Sequence, residues 1–206
     1  MTLPNEWVLL CCAVVGCSSP RSTDPAWSIV PGQSAGAVKP TSSEGDLVAA
    51  YGQEAVETSR IELGEGETAP GTLLFPKDST RRVEVIWRDT VARANSVRLV
   101  WRGSQSQWQL PGGLSLGSSL KEIETRNGRP FTLAGFGWDY GGVVVDWASG
   151  TLASTLPGVR LYLDPGPAHY QSAPYSQVLG DRDYSSSNQH MQSLNPKVYQ
   201  IFMDFE

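Results

Sequence analysis

The sequence predicts an α+β fold: an antiparallel sheet with short helices on one face, built from two tandem helix-plus-strands units. Three observations predict it. Five segments alternate apolar and polar residues with the period of two that sends successive side chains to opposite faces of a strand. These segments follow one another without the long helical crossovers that parallel strands require. An offset of 76 residues also lays one half of the chain on the other: Ser42-Ser43 falls on Ser118-Ser119, Asp46 on Glu122, Leu47 on Ile123 and Gly52 on Gly128. The same offset carries Val83, Val85 and Trp87 onto Val159, Leu161 and Leu163.

The amino end is read separately. Trp7 to Gly16 is an apolar run of ten, too short to span a bilayer but of the length of a signal-peptide core. It ends in Val14-Val15-Gly16-Cys17, and small residues before a Cys after an apolar run resemble a bacterial lipobox. That resemblance implies cleavage of residues 1–16 and lipidation of Cys17, with Ser18 of the type that permits export to the outer membrane. Met1 to Glu6 carries no Lys or Arg, a departure from the usual signal peptide. All three Cys lie at or before position 17, so the exported domain carries neither thiol nor disulfide beyond the anchor. Residues 17–35 read as the lipidated Cys and a Ser/Pro/Gly/Ala tether, ending in a first strand around Trp27 to Val30.

The globular domain is expected over 36–206, with unit one at about 36–104, unit two at about 112–180 and a last strand at 198–205. Each unit opens on a helix. Ser119-Leu120-Lys121-Glu122 is a capping box, Leu120, Ile123 and Asn127 recur at helical spacing, and Gly128 with Pro130 ends the helix. The first copy has Ser43 with Asp46, then Leu47, Ala50, Tyr51 and Gly52, weakened by Gly45. Strands are predicted at Val83–Trp87, Val97–Trp101, Val143–Trp147 and Val159–Leu163. In the final strand Tyr199, Ile201, Met203 and Phe205 are expected on one face.

The stretch from Leu114 to Ile123, then Asn127-Gly128-Arg129-Pro130, Trp138-Asp139-Tyr140 and a Val-rich strand ending at Ser149-Gly150 resembles the small lipoprotein domain of the outer-membrane assembly factor BamE. Two such units in tandem are similar to the beta-lactamase inhibitor protein. The match covers about 40 residues, and the first unit lacks the Gly-x-Pro. The resemblance implies a non-enzymatic exported module that binds other proteins through a sheet face or loops; it implies no particular target, because partner choice lies in surface residues.

Catalytic chemistry finds little support. The chain has 206 residues, a net charge of −5 and two His, so a basic nucleic-acid stripe and most histidine-based sites are excluded. His169 and His190 sit in polar loops without a nucleophile elbow. Asp181-Arg182-Asp183 lacks the downstream acid of a calcium loop, and Gly112 to Gly117 lacks the Lys of a phosphate loop. Asp139 and Asp146, near Trp138, Tyr140 and Trp147, would suit a glycosidase only if a turn at Gly141-Gly142 brought them to one side.

The aromatics are the stronger lead. Seven Trp is many for this length. Trp87, Trp101 and Trp147 continue strand faces and belong to the core. Trp108 follows a polar run and is a candidate for exposure. Phe136, Trp138 and Tyr140 alternate and would share one face of an extended segment, with Asp139 opposite; they complete the core or form a binding platform. The expectation is a protein-binding or envelope-scaffolding lipoprotein without catalytic residues, cofactor or metal. Its candidate partner-binding residues are Trp138, Tyr140, Phe136, Trp108 and Asp139. Its partners are an envelope protein and, through Cys17, the membrane, with no nucleic acid. The alternative is a cell-wall or polysaccharide-binding protein or glycosidase using the Trp138/Asp139/Asp146 region.

Overall fold

The computed structural model describes residues 25–205, so the expected signal segment and lipobox, with Cys17, lie outside the described residues. Within them the chain is α+β, with antiparallel pairing in every sheet. After a short amino-terminal hairpin, β1 (Ile29–Val30) and β2 (Ser34–Ala35), the first unit runs α1 (Glu44–Tyr51), β3 (Val56–Gly64), β4 (Glu67–Leu74), β5 (Val83–Asp89) and β6 (Ala94–Arg102). The second runs α2 (Leu120–Asn127), β7 (Thr132–Ala134), β8 (Val144–Asp146), α3 (Thr151–Thr155) and β9 (Val159–Asp164). It then inserts α4 (Ala173–Ser176), β10 (Asp183–Ser185) and α5 (Gln189–Leu194) before β11 (Lys197–Asp204).

The main sheet has the order β3-β4-β5-β6-β11-β9. A bridge between Val143 and Tyr162 brings the small sheet, β10-β7-β8, to its β9 edge. The two units thus meet at the centre, where β6 and β11 pair from Gln200–Arg102 to Asp204–Arg98. Both helices carry the capping box read from the sequence, Ser43 with Asp46 and Ser119 with Glu122. Each cap is also tied to the start of its unit's innermost strand. Ser43 bridges Ala94 as Ser119 bridges Lys197, Glu44 N–H donates to Arg93 O as Leu120 N–H donates to Pro196 O, and Asn95 N–H donates to Ser42 O as Val198 N–H donates to Ser118 O. The positions related by the 76-residue offset therefore do the same mechanical work: each holds a helix against the strand that closes its unit.

Helices cover one face of the sheet. Leu47, Leu120, Ile123, Leu152, Met191 and Leu194 pack with Val83, Val85, Trp87, Leu99, Trp101, Leu161, Leu163, Ile201 and Met203 in one buried cluster. Burial on this scale is the main favourable term in the fold. Asn127 ends α2 inside it with its amide satisfied: Nδ2 donates to Arg129 O and Trp147 O, and Oδ1 accepts from Leu152 N.

Four expectations need correction. The packed domain begins before residue 36, because Ile29 and Ala35 are buried and Trp27 stacks edge-on against Trp108. Tyr199 leaves the face of Ile201, Met203 and Phe205: a register shift between Val198 and Gln200 inserts one extra residue, so Val198 takes the core position and Tyr199 turns outward. His190 lies in the first turn of α5 and His169 in a 3₁₀ turn over Pro167–His169. Strands β3 and β4 also join the sheet although the alternation does not announce them. Most of β3 is exposed, and β4 contains Pro70 and Gly71.

Candidate functional site

The face of the sheet turned away from the helices carries its own smaller cluster, Ile61, Ile86, Val100, Tyr162 and Phe202. Register places the residues. Glu84, Val100, Phe202 and Arg160 form one cross-strand row, and Arg102, Gln200 and Tyr162 the next. Among the described residues no helix covers Phe202. Three guanidiniums do: Arg98, Arg102 and Arg160 stand 5.4, 5.8 and 5.3 Å from its ring centroid. Acids hold the fan in place, Asp204 between Arg98 and Arg160 and Glu84 on Arg102 at 3.1 Å. Burial pushes the Glu84 carboxyl above its usual range, against the pull of Arg102.

The β3–β4 hairpin curls over this face. In a flat sheet β3 would stand three strands from β6, each about 4.8 Å wide. Yet Arg102 Nη2 donates to Glu62 O at 2.7 Å, and Ile61 joins the same cluster as Phe202. Gly71 makes room: a Cβ there would lie 2.5 Å from Ile61 Cγ1 and 2.6 Å from Val85 O. At its tip, Glu65 Oε1 accepts a 3.1 Å hydrogen bond from Tyr140 Oη, which raises the Tyr140 pKa. The hairpin and the 138–141 turn thus enclose a bay of about 250 Å³ lined by Leu63, Glu65, Glu67, Arg102, Asp139, Tyr140, Tyr162, Gln200 and Phe202. A second, mostly apolar hollow of about 320 Å³ shares Arg102 and Gln200 and includes Tyr199 and Asp164.

The structure divides the predicted residues. Trp138 and Tyr140 stand 36% and 46% exposed, edge to face at 5.4 Å, and Asp139 between them lines the bay. Trp108 is not a surface residue; its ring is 0% exposed, packed on Trp27 and Trp101, and its Nε1 donates to Arg81 O at 2.6 Å. The polar run before it crosses the sheet end and is pinned there, with Gln107 N–H on Thr80 O. Phe136 is likewise core, 2% exposed and stacked on Tyr175 at 5.8 Å. The three rings do not share a face, because Gly137 and Gly142 at φ +84° and +75° fold the segment into turns. Gly142 is required by the close approach of β9, since a Cβ would sit 1.9 Å from Leu163 O.

Asp139 and Asp146 take different tasks: Asp139 faces the bay, whereas Asp146 Oδ1 accepts from Ala148 N–H in a turn after β8. Among the described residues no three His, Cys, Asp or Glu side chains are grouped to share a metal ion.

Arg98, Arg102, Arg160, Gln200, Phe202 and Glu65 are the site residues that sequence reasoning missed. One signal existed. Ile201-Phe202-Met203 is an unbroken apolar run in a strand, the mark of a strand buried on both faces. The hairpin tip had no such signal. No family model, curated protein or solved structure matches the chain.

Proposed function

We propose that this chain is a non-catalytic protein-binding module of the bacterial cell envelope, anchored by lipid at Cys17 in the outer membrane facing the periplasm, and that it docks its partner on the open face of the sheet. One observation carries the reading. The face left bare by the helices presents Trp138, Tyr140 and Tyr199 partly exposed around an arginine-covered Phe202, between two hollows. Aromatic and arginine side chains set in a concave, partly desolvated surface are the residue types that dominate binding energy at protein interfaces. The carboxylates nearby do not converge as an acid–base pair: Glu65 is engaged by Tyr140 and Glu84 by Arg102. Among the described residues no helix is long and apolar enough to cross a membrane, and the anchor rests on the lipobox alone. The resemblance of residues 112–150 to small envelope lipoproteins supports the same reading.

The test is affinity capture from detergent-solubilised envelopes with the carboxy-terminally tagged chain, its Trp138→Ala and Phe202→Ala variants, and Cys17→Ser and Asp146→Asn as controls. A discrete partner kept by Cys17→Ser and by Asp146→Asn but lost with Trp138→Ala supports the reading. Retention on peptidoglycan without any protein partner overturns it in favour of glycan binding.

A further inference from the structure

The geometry points to a lysine or arginine side chain of the partner protein as the occupant of the bay; this rests on reading the open face as the partner-binding surface. Gln200 is the first reason. It is only 7% exposed and lines the bay, its side-chain amide makes no hydrogen bond among the described residues, and that amide is not among the fully buried unpaired groups, so it meets the solvent of the bay. Its neighbours Arg102 and Tyr162 lie in the same cross-strand row without engaging it. An amide so nearly buried, with only the solvent of the bay to bond, is a place where an entering group can take over the bonding. Gln200 offers both an acceptor oxygen and two donor hydrogens to whatever enters.

Charge selects the occupant. Glu65, Glu67 and Asp139 line the bay, and none of them is ion-paired among the described residues. Among the described residues Arg102 is the only cation lining it, and it is already held by Glu84 and by Glu62 O. The mouth is therefore negative. The rings of Tyr140 and Tyr162 receive the methylenes of a long side chain and attract the cation at its tip; Phe202 also lines the bay, but its ring is already covered by Arg98, Arg102 and Arg160. A space of about 250 Å³ takes one side chain, not a helix or strand. A bare metal ion does not fit the arrangement, because the acids are not grouped closely enough among the described residues to share one. A neutral sugar would use the rings but leave the Glu67 and Asp139 carboxylates unanswered. A lysine ammonium or arginine guanidinium answers both, with a donor left for Gln200 Oε1.

The test uses the full chain in detergent micelles, labelled to report the Gln200 side-chain amide and the Tyr140 ring by NMR. The probes are capped pentapeptides, Gly-Ser-X-Ser-Gly, with X as Lys, Arg, norleucine or Glu, and a tetramer of N-acetylglucosamine. The Lys and Arg peptides are expected to shift both signals saturably. Their affinity should fall at least about fivefold in Glu67→Gln/Asp139→Asn and fall further as salt screens the exposed acids. Gln200→Met, which keeps the volume and removes the amide, should weaken both peptides by a similar factor while the circular dichroism spectrum stays unchanged. Equal shifts with norleucine or Glu, insensitivity to the double variant, or saturation by the sugar tetramer in place of the basic peptides would overturn the inference. If the basic peptides fail while partner capture still depends on Trp138 and Phe202, the basic anchor alone is wrong. If capture also ignores those residues, the docking face itself is wrong.

Discussion

The two faces of the central sheet carry almost the same kind of strand residue and bury it by different means. On one side Leu99, Trp101, Leu161 and Met203 lie beneath helices α1, α2 and α5, apolar against apolar. On the other, Val100 and Phe202 lie beneath the charged side chains of their own neighbours, Arg98, Arg102 and Arg160, held by Glu84 and Asp204. A helix roof covers its face with apolar side chains. An arginine roof shields apolar surface with its methylene stems and keeps its charged ends available to a partner. The difference teaches that low exposure has two meanings in this molecule, structure on one face and a covered contact surface on the other.

Mutations can break that comparison. Trp101→Ala, under the helices, should cost about 3–5 kcal/mol in chemical denaturation, because a fully enclosed site cannot collapse around the void. Phe202→Ala should cost about half as much, because the arginine stems above it can settle, and should abolish partner capture. Equal losses for the two would erase the distinction between the roofs.

Within the covered face two tryptophans sharpen the picture. Trp108 Nε1 donates to Arg81 O, whereas Trp101 Nε1 is buried without a partner among the described residues. Trp108→Phe should therefore exceed Trp101→Phe by about 1–2 kcal/mol, since it leaves a carbonyl unsatisfied and the other exchange does not. Parallel urea titrations read the difference directly.

On the open face Arg160→Ala should change stability by less than about 1 kcal/mol, because its pair with Asp204 is exposed, yet weaken capture measurably. A large stability loss would make the fan a structural element like the helices.

The smallest effects are in pH. Hydrogen bonds from the Ser119 backbone and hydroxyl hold the Glu122 carboxyl below its usual range. That stability is present above the unfolded pKa, about 4.3, and is lost as pH falls through the depressed folded value. Glu84 on the open face runs the other way. Burial raises its pKa, so its contribution is favourable in acid and is lost as pH rises through the folded value. Ser119→Ala should cost about 1 kcal/mol at neutral pH and shrink the acid-side loss; Glu84→Gln should flatten the opposite slope. Thermal melts between pH 3 and 7 separate the two.

Much of the fold was legible because its signals are local. Ser119 with Glu122, Ser43 with Asp46, and Gly128 at φ +75° are decided within a turn of chain. Strands β5, β6, β9 and β11 declared themselves through alternation, because each buries one full face under helices. The site was legible only at Trp138, Asp139 and Tyr140. Trp108 was misplaced, and Phe136 took the core alternative instead of the platform, because a distant carbonyl and turn geometry, not neighbouring sequence, decide where those rings point. Strand β3 escaped notice because an edge strand that curls over a face, with Pro70 and Gly71 in its partner β4, buries too little on one side to alternate.

What the amino-acid order by itself determined is the helix ends, the strand faces and the repetition of one plan, all of which depend on groups a few residues apart. Tertiary structure decided which face stays uncovered, that Glu65 meets Tyr140 across it, and that the Gln200 side-chain amide, without a partner among the described residues, lines a bay. Those outcomes depend on residues far apart in the chain brought together by sheet curvature and a single-residue bulge, and curvature is set by the packing of all the strands at once.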